Sequence, residues 1–295
     1  MSVHPLSTTP PTIVPREKLD FGLDGDIPKY WFGDDAFKTR YFDSMSTTFP
    51  EGERYFICCV RDFRDQVSDE RLRQEIKDFI RQEGQHGIVH SRFNDLLKAQ
   101  GIDVDRLEGF TRTFLFDIMR RFFPRKHTLA TTAACEHLTA IMAHSFFQRS
   151  DVMASADPRM MALYAWHAME EMEHKAVAFD VMQKVAKVGY LRRIYTLFEV
   201  TIAFNLQMLI YTNIMLKTDG HSLWARTKMF AKGLWWLYGA RGLYMSNLKP
   251  YLRYYKPGFH PWQETEPSCY QLWVDTFNRT GDPIAAGQAV YAAAL

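Results

Sequence analysis

Paired thiols are missing from this sequence. Its four cysteines, Cys58, Cys59, Cys135 and Cys269, form no C-x-x-C or other zinc-like spacing, which argues against a thiolate metal site. Four cysteines in 295 residues build no disulfide framework, so a reducing, cytoplasmic setting is expected. Excess charge is missing as well. The formal net charge is +2, and no nucleic-acid surface is expected from so even a balance. Met1 to Lys18 carry no apolar run of the kind a secretory signal needs. The chain also lacks convincing runs of alternating strand residues and any internal repeat, which leaves an all-α fold.

What is present is a long series of helical patterns behind a proline-bearing start. Residues 1–45 contain Pro5, Pro10, Pro11, Pro15 and Pro28 and are expected to be extended. Residues 46–189 read as a four-helix bundle. The first helix is expected to start near Phe49, with Thr48 and Glu51 as a capping box and Pro50 in the first turn. The second runs from about Asp69 to Gln100, a rod of roughly 48 Å, and stops at Gly101. The third covers Thr128 to Gln148, and the fourth runs from Pro158 to Val188. Residues 190–295 form a C-terminal extension: apolar Leu191–Leu216, aromatic Ser222–Asn247, and a loop-rich tail with a short helix near Tyr270–Asn278.

Each bundle helix has an apolar seam broken mid-way by acid or imidazole. The second carries Glu83 and His86 among Ile76, Phe79 and Phe93. The fourth carries His167, Glu171 and His174 among Met160, Tyr164 and Val181. Glu136 interrupts the third and Glu53 the first. An ionised carboxylate buried alone costs several kcal/mol, and Lys and Arg are absent from these stretches of the seams. Metal ions are the natural counter-charge.

The spacing agrees. Glu83 with His86, and Glu171 with His174, stand three residues apart and project from one helix face. Two seam glutamates plus two Glu-x-x-His pairs is a two-metal carboxylate arrangement of helix bundles. The expected ligands are Glu53, Glu83, His86, Glu136, His167, Glu171 and His174. Carboxylate and imidazole without thiolate suit iron or manganese. Glu170 and His90 are expected behind the ligands, Glu173 at the solvated surface. His137, His144 and Asp180 are weighed as partners for ligand imidazoles. No other catalytic residue is assigned.

The stretches FPEGERYF (49–56), QEGQHGIVH (82–90), ACEHLTA (134–140), WHAMEEMEHKAVAFDV (166–181) and GFHPW (258–262) resemble the bacterial "predicted metal-dependent hydrolase" family, of ferritin-like character. The resemblance spans roughly residues 40 to 265. The ligand order is also similar to that of the di-iron N-oxygenases acting on p-aminobenzoate, through Glu53, Glu83, His86, Glu136, His167, Glu171 and His174.

That resemblance implies a di-iron oxidoreductase using O2 and an electron donor on a small or apolar organic substrate. A two-metal hydrolase, with Glu170 as candidate base, and a non-enzymatic iron-binding protein are the alternatives. A homodimer is left open. Leu191–Leu216 is long enough to span a membrane, but Glu199, Asn205 and Gln207 interrupt it. It is read as a buried helix lining a hydrophobic pocket rather than as a membrane contact.

Overall fold

The structure is a computed structural model that describes residues 11–24, 26–148, 150–264 and 269–293, with the side chains of 144, 146–148, 150 and 151 outside the description. The fold is all-α, with no strand among the described residues. Four long helices, α1 (Ala36–Arg61), α2 (Glu70–Ala99), α4 (Arg125–Gln148) and α5 (Pro158–His174), contact one another in a ring: α1 on α2, α2 on α5, α5 on α4 and α4 on α1. Between α2 and α4 runs α3 (Val104–Arg112), continued by a π-helical stretch, Thr113–Met119. After α5 come α6 (Tyr190–Thr218), α7 (Leu223–Tyr238), the short α8 (Leu248–Arg253), α9 (Cys269–Thr280) and α10 (Pro283–Ala293).

Helix α1 begins at Ala36, capped by Asp35 through the Lys38 amide, well before the expected start at Phe49. Thr48 and Glu51 are therefore helix-interior residues and form no capping box; Glu51 pairs with Arg54 instead. The missed part of α1 is rich in buried polar residues. Its hydroxyls bond back to the helix itself, Ser44 to the Arg40 carbonyl (2.6 Å) and Thr48 to the Ser44 carbonyl (3.0 Å). Asp43 is paired with Arg40 at 2.8 Å. Satisfied polar groups of this kind can be buried at little cost, but they carry no hydrophobic signature.

Pro50 thus lies inside α1, where it cannot donate to the carbonyl of Ser46. That carbonyl accepts from Asn94 Nδ2 of α2 at 3.2 Å. The substitution of one donor for another ties α1 to α2 about two turns before Glu53.

Residues 11–24 and 26–35, ahead of α1, form no helix, and they are packed rather than loose; the expected extended course of residues 1–10 lies outside the described residues. Phe21, Trp31 and Phe32 are buried in the main core with Tyr164 and Trp166 of α5. Helix α5 starts at Pro158 behind Asp157, which accepts from the Arg159 amide. It breaks after His174 and resumes at Val177 before a π-helical turn, Val181–Val185, so it is not one rod to Val188. The tail is more helical than its prolines suggest. Gly287 of α10 packs on the Ala162 backbone of α5, where a Cβ would come within 2.8 Å.

Candidate metal centre

Seven side chains from α1, α2, α4 and α5 meet inside the ring. Glu53, Glu83, His86, Glu136, His167, Glu171 and His174 are all at most 5% exposed. His174 Nε2 lies 3.0 Å from Glu83 Oε1, 3.4 Å from Glu136 Oε2 and 3.6 Å from Glu171 Oε1. His167 Nε2 lies 3.1 Å from Glu171 Oε1 and 3.8 Å from Glu53 Oε1. His86 Nδ1 lies 3.7 Å from Glu171 Oε1. Two groups could each hold an ion, Glu53–His86–His167 and Glu83–Glu171–His174, their donor atoms within 4.8 Å of one another. Glu171 Oε1 approaches all three imidazoles and so stands between the groups. Gly87 makes room for Glu53, since a Cβ there would lie 3.3 Å from Glu53 Oε2.

The donor set fits cations. Both carboxylate oxygens of Glu53, Glu83 and Glu136, with His86 Nδ1 and His174 Nε2, are buried and make no hydrogen bond. Orphaned buried polar atoms are rare in proteins, and here eight of them point at one place. Burial and the neighbouring carboxylates push Glu53 and Glu83 well above the usual range and Glu136 up to about 7. Burial alone would raise Glu171 and lower His174, yet each holds the other in its charged form, Glu171 well below and His174 well above its usual range.

Each imidazole is gripped from behind, leaving one nitrogen for the centre. His86 Nε2 donates to Glu170 Oε2 at 3.2 Å. His174 Nδ1 donates to Gln82 Oε1 at 2.8 Å. For His167 the grip can be followed proton by proton. Asn94 Nδ2 donates to the Ser46 carbonyl and to Glu108, so its Oδ1 is the acceptor for the Ser46 hydroxyl at 2.8 Å. The single Ser46 proton is thereby used, and Ser46 Oγ must accept from His90 Nδ1 at 2.9 Å. Burial keeps His90 neutral, far below the usual imidazole value, so its Nε2 is bare and accepts from His167 Nδ1 at 2.8 Å. His167 Nε2 is thereby turned to the centre, 3.1 Å from Glu171 Oε1 and 3.8 Å from Glu53 Oε1, and is the nitrogen that would meet an ion there.

Glu170 and His90 thus stand behind His86 and His167 respectively. Glu173 is fully buried, not solvated as the sequence pattern suggests. Arg16 explains the difference: its guanidinium reaches Glu170 Oε1 at 3.2 Å and Glu173 Oε1 at 2.8 Å, and it stacks over Trp273. Glu173 also accepts from Gln82 Nε2 at 2.8 Å and Tyr270, so one buried network runs from the N-terminal segment to His174. Even beside Arg16, burial raises Glu170 to about 8. Arg16 has no sequence signal; it sits in a segment read as extended, far in sequence from its partners.

His137 and Asp180 do not touch the centre. His137 is buried against Tyr254 and Phe259, its pKa lowered to about 3 by burial. Asp180 pairs with His260 at 3.0 Å and Lys184 at 2.9 Å. The side chain of His144 lies outside the described residues.

Beside the centre lies an apolar cavity of about 110 Å³. Phe49, Phe56, Phe114, Leu138, Met142 and Phe204 line it, and Glu53, His167 and Glu171 form its floor. The Thr139 hydroxyl there donates to Glu171 Oε2. Glu199 also borders the cavity, engaged by His127 Nε2 at 3.1 Å.

A family model described as "Predicted metal-dependent hydrolase" matches residues 15–265. The match takes in the segment carrying Arg16 as well as the helices of the centre. The description agrees with the hydrolytic alternative and does not speak for iron or O2. No curated protein and no solved structure matches the chain.

Proposed function

The chain belongs to the predicted metal-dependent hydrolase family, and from that premise we propose that it is a two-metal enzyme acting on an apolar substrate; its ligand set supports O2-dependent oxidation as the reaction. The observation that carries the two-metal reading is the convergence of unpartnered, buried oxygen and nitrogen atoms from Glu53, Glu83, His86, Glu136 and His174. Glu53, His86 and His167 would hold one ion and Glu83, Glu136 and His174 the other, with Glu171 shared. When bound, a redox-active pair such as iron supplies the electrons that reduce O2, with an external donor restoring them.

The chain's own residues prepare the place. Phe49, Phe56 and Phe204 exclude water from the cavity and accept an apolar molecule. Thr139 holds one oxygen of Glu171 by hydrogen bond. Glu170, His90 and Gln82 fix the three ligand imidazoles.

Hydrolysis is the second reading, favoured by the family description. Two ions would then lower the pKa of a bound water. Against it, Glu170, the base expected from the sequence, is held by His86 and Arg16 and does not border the cavity. Oxygen consumption by the ferrous-loaded protein supports the oxidative reading. Metal-dependent turnover of a lipophilic ester under anaerobic conditions, with no oxygen uptake in air, replaces it with the hydrolytic one.

A further inference from the structure

Helix α6 is buried on one face alone. Thr196, Met208, Thr212, Met215 and Leu216 point inward, yet its most apolar window, of mean hydropathy 1.3, is only 28% buried. Leu191, Tyr195, Phe198, Ile202, Leu206 and Ile210 are exposed, at steps of three or four residues that keep them on one stripe.

Two neighbours widen the stripe. On one flank the Tyr211 hydroxyl donates to the Leu107 carbonyl at 2.8 Å and Gln207 to Thr111 at 2.7 Å, which seats α3 and its π-helical continuation beside α6. This segment exposes Phe110, Phe114, Ile118 and Phe122, the last 70% exposed. On the other flank the Tyr238 hydroxyl donates to Asn205 at 2.5 Å, and α7 exposes Trp224 and Trp235, the latter at 73%. The apolar cavity reaches this face, because Phe114 and Phe204 form part of its wall.

We propose that this face seats on an anionic lipid bilayer, with the cavity opening toward the membrane. Scattered exposed apolar residues need no explanation, but a continuous face over three adjoining segments marks a docking site. The charges identify the occupant. Phe122 and Phe123 are bracketed by exposed Arg121, Arg125 and Lys126, and α6 and α7 carry exposed Arg192, Lys228 and Lys232. From residue 200 to 263 the sole acid is Asp219, and it is occupied by Arg40 and Lys29. Nearer the stripe the acids are Glu199, which is turned to the cavity beside His127, and Asp117, and both are outnumbered by the basic residues around them. Basic residues around an apolar, Trp- and Tyr-bearing face match an anionic interface. A second copy of the chain would set these bases against their own kind. A single membrane span is excluded by the inward face of α6, which packs on α1 and α4. The docking rests on surface chemistry alone, so it stands or falls separately from the metal reading.

The test is flotation of the full chain with vesicles of phosphatidylcholine alone and with 30% phosphatidylglycerol. Binding is expected to the anionic vesicles and to fall at high salt. Replacing Arg121, Arg125 and Lys126 by Gln should weaken it roughly 100-fold, and Trp235→Ala with Phe122→Ala should also weaken it, at unchanged helicity and metal content. Absence of binding to anionic vesicles overturns the proposal. So does equal binding of the wild-type and substituted chains, or a dimer that the Trp235 and Phe122 substitutions dissociate without vesicle binding.

Discussion

Lowering the pH should loosen the metals by a predictable amount. Without ions the centre stores protons: burial and mutual repulsion raise Glu53 and Glu83 well above their usual range and Glu136 from 4.5 to about 7. Ions displace those protons, so affinity must rise with pH. For Glu136 alone, a value near 7 leaves about one molecule in 30 ionised at pH 5.5 and nearly all at pH 8. Affinity at that site should therefore drop roughly 30-fold, about 2 kcal/mol, between pH 8 and pH 5.5, with Glu53 and Glu83 adding in the same direction. The sign in the metal-free fold is opposite. There Glu136 contributes stability that is full below pH 4.5 and lost as the pH rises through 7.

Buried neutral histidines complicate the metal-free protein's own melting. His86 and His90 are held far below the usual imidazole range by burial, so their stability is lost as the pH falls below about 6.5. They stay neutral with or without ions, and they cancel in the difference between the two forms. The assay is therefore the gap in Tm between metal-loaded and chelator-treated protein, by calorimetry at pH 5.5 and 8. At about 2 °C per kcal/mol, the gap should be wider at pH 8 by roughly 4 °C or more. Titration calorimetry at pH 7 in buffers of different ionisation enthalpy should register protons released on binding. An equal or wider gap at pH 5.5, with no proton release, refutes the reasoning.

Other consequences are local. Glu170→Ala removes the acceptor behind His86 and should cut metal affinity about 10- to 100-fold with the helical spectrum unchanged, read by competition with a chromophoric chelator. Gly87→Val pushes into Glu53 and should cost one of the two ions by elemental analysis. Glu173→Ala leaves Arg16 with Glu170 as its one carboxylate partner and should destabilise by about 1–3 kcal/mol, a Tm drop of roughly 2–6 °C, while the folded protein keeps both ions. Loss of an ion in that variant would show that Gln82 cannot hold His174 without Glu173.

The helices that supply the centre are legible in the sequence because burying Glu and His on an apolar seam breaks a periodic pattern. Glu83, His86, Glu171 and His174 also share a spacing set by the helix itself. What lies behind them is not legible. Arg16 and Glu173 meet across the fold, and nothing local predicts the meeting. The start of α1 hides because its buried residues are polar and bond to their own helix. Pro50 reads as a helix start; its lost hydrogen bond is replaced from α2 by Asn94, a tertiary event. The apolarity of Leu191–Leu216 is plain, but whether it faces core or surface depends on neighbours that arrive from α3 and α7.

The claim beneath all of this is that two cations sit among the carboxylates of α1, α2, α4 and α5. The most direct test is the metal content of the protein after loading and exhaustive desalting, beside that of Glu83→Ala and Glu171→Ala. About two ions per chain in the wild type, one fewer without Glu83 and little left without Glu171, is the predicted result. A wild type that retains almost no metal, or variants that retain as much as it does, would contradict it.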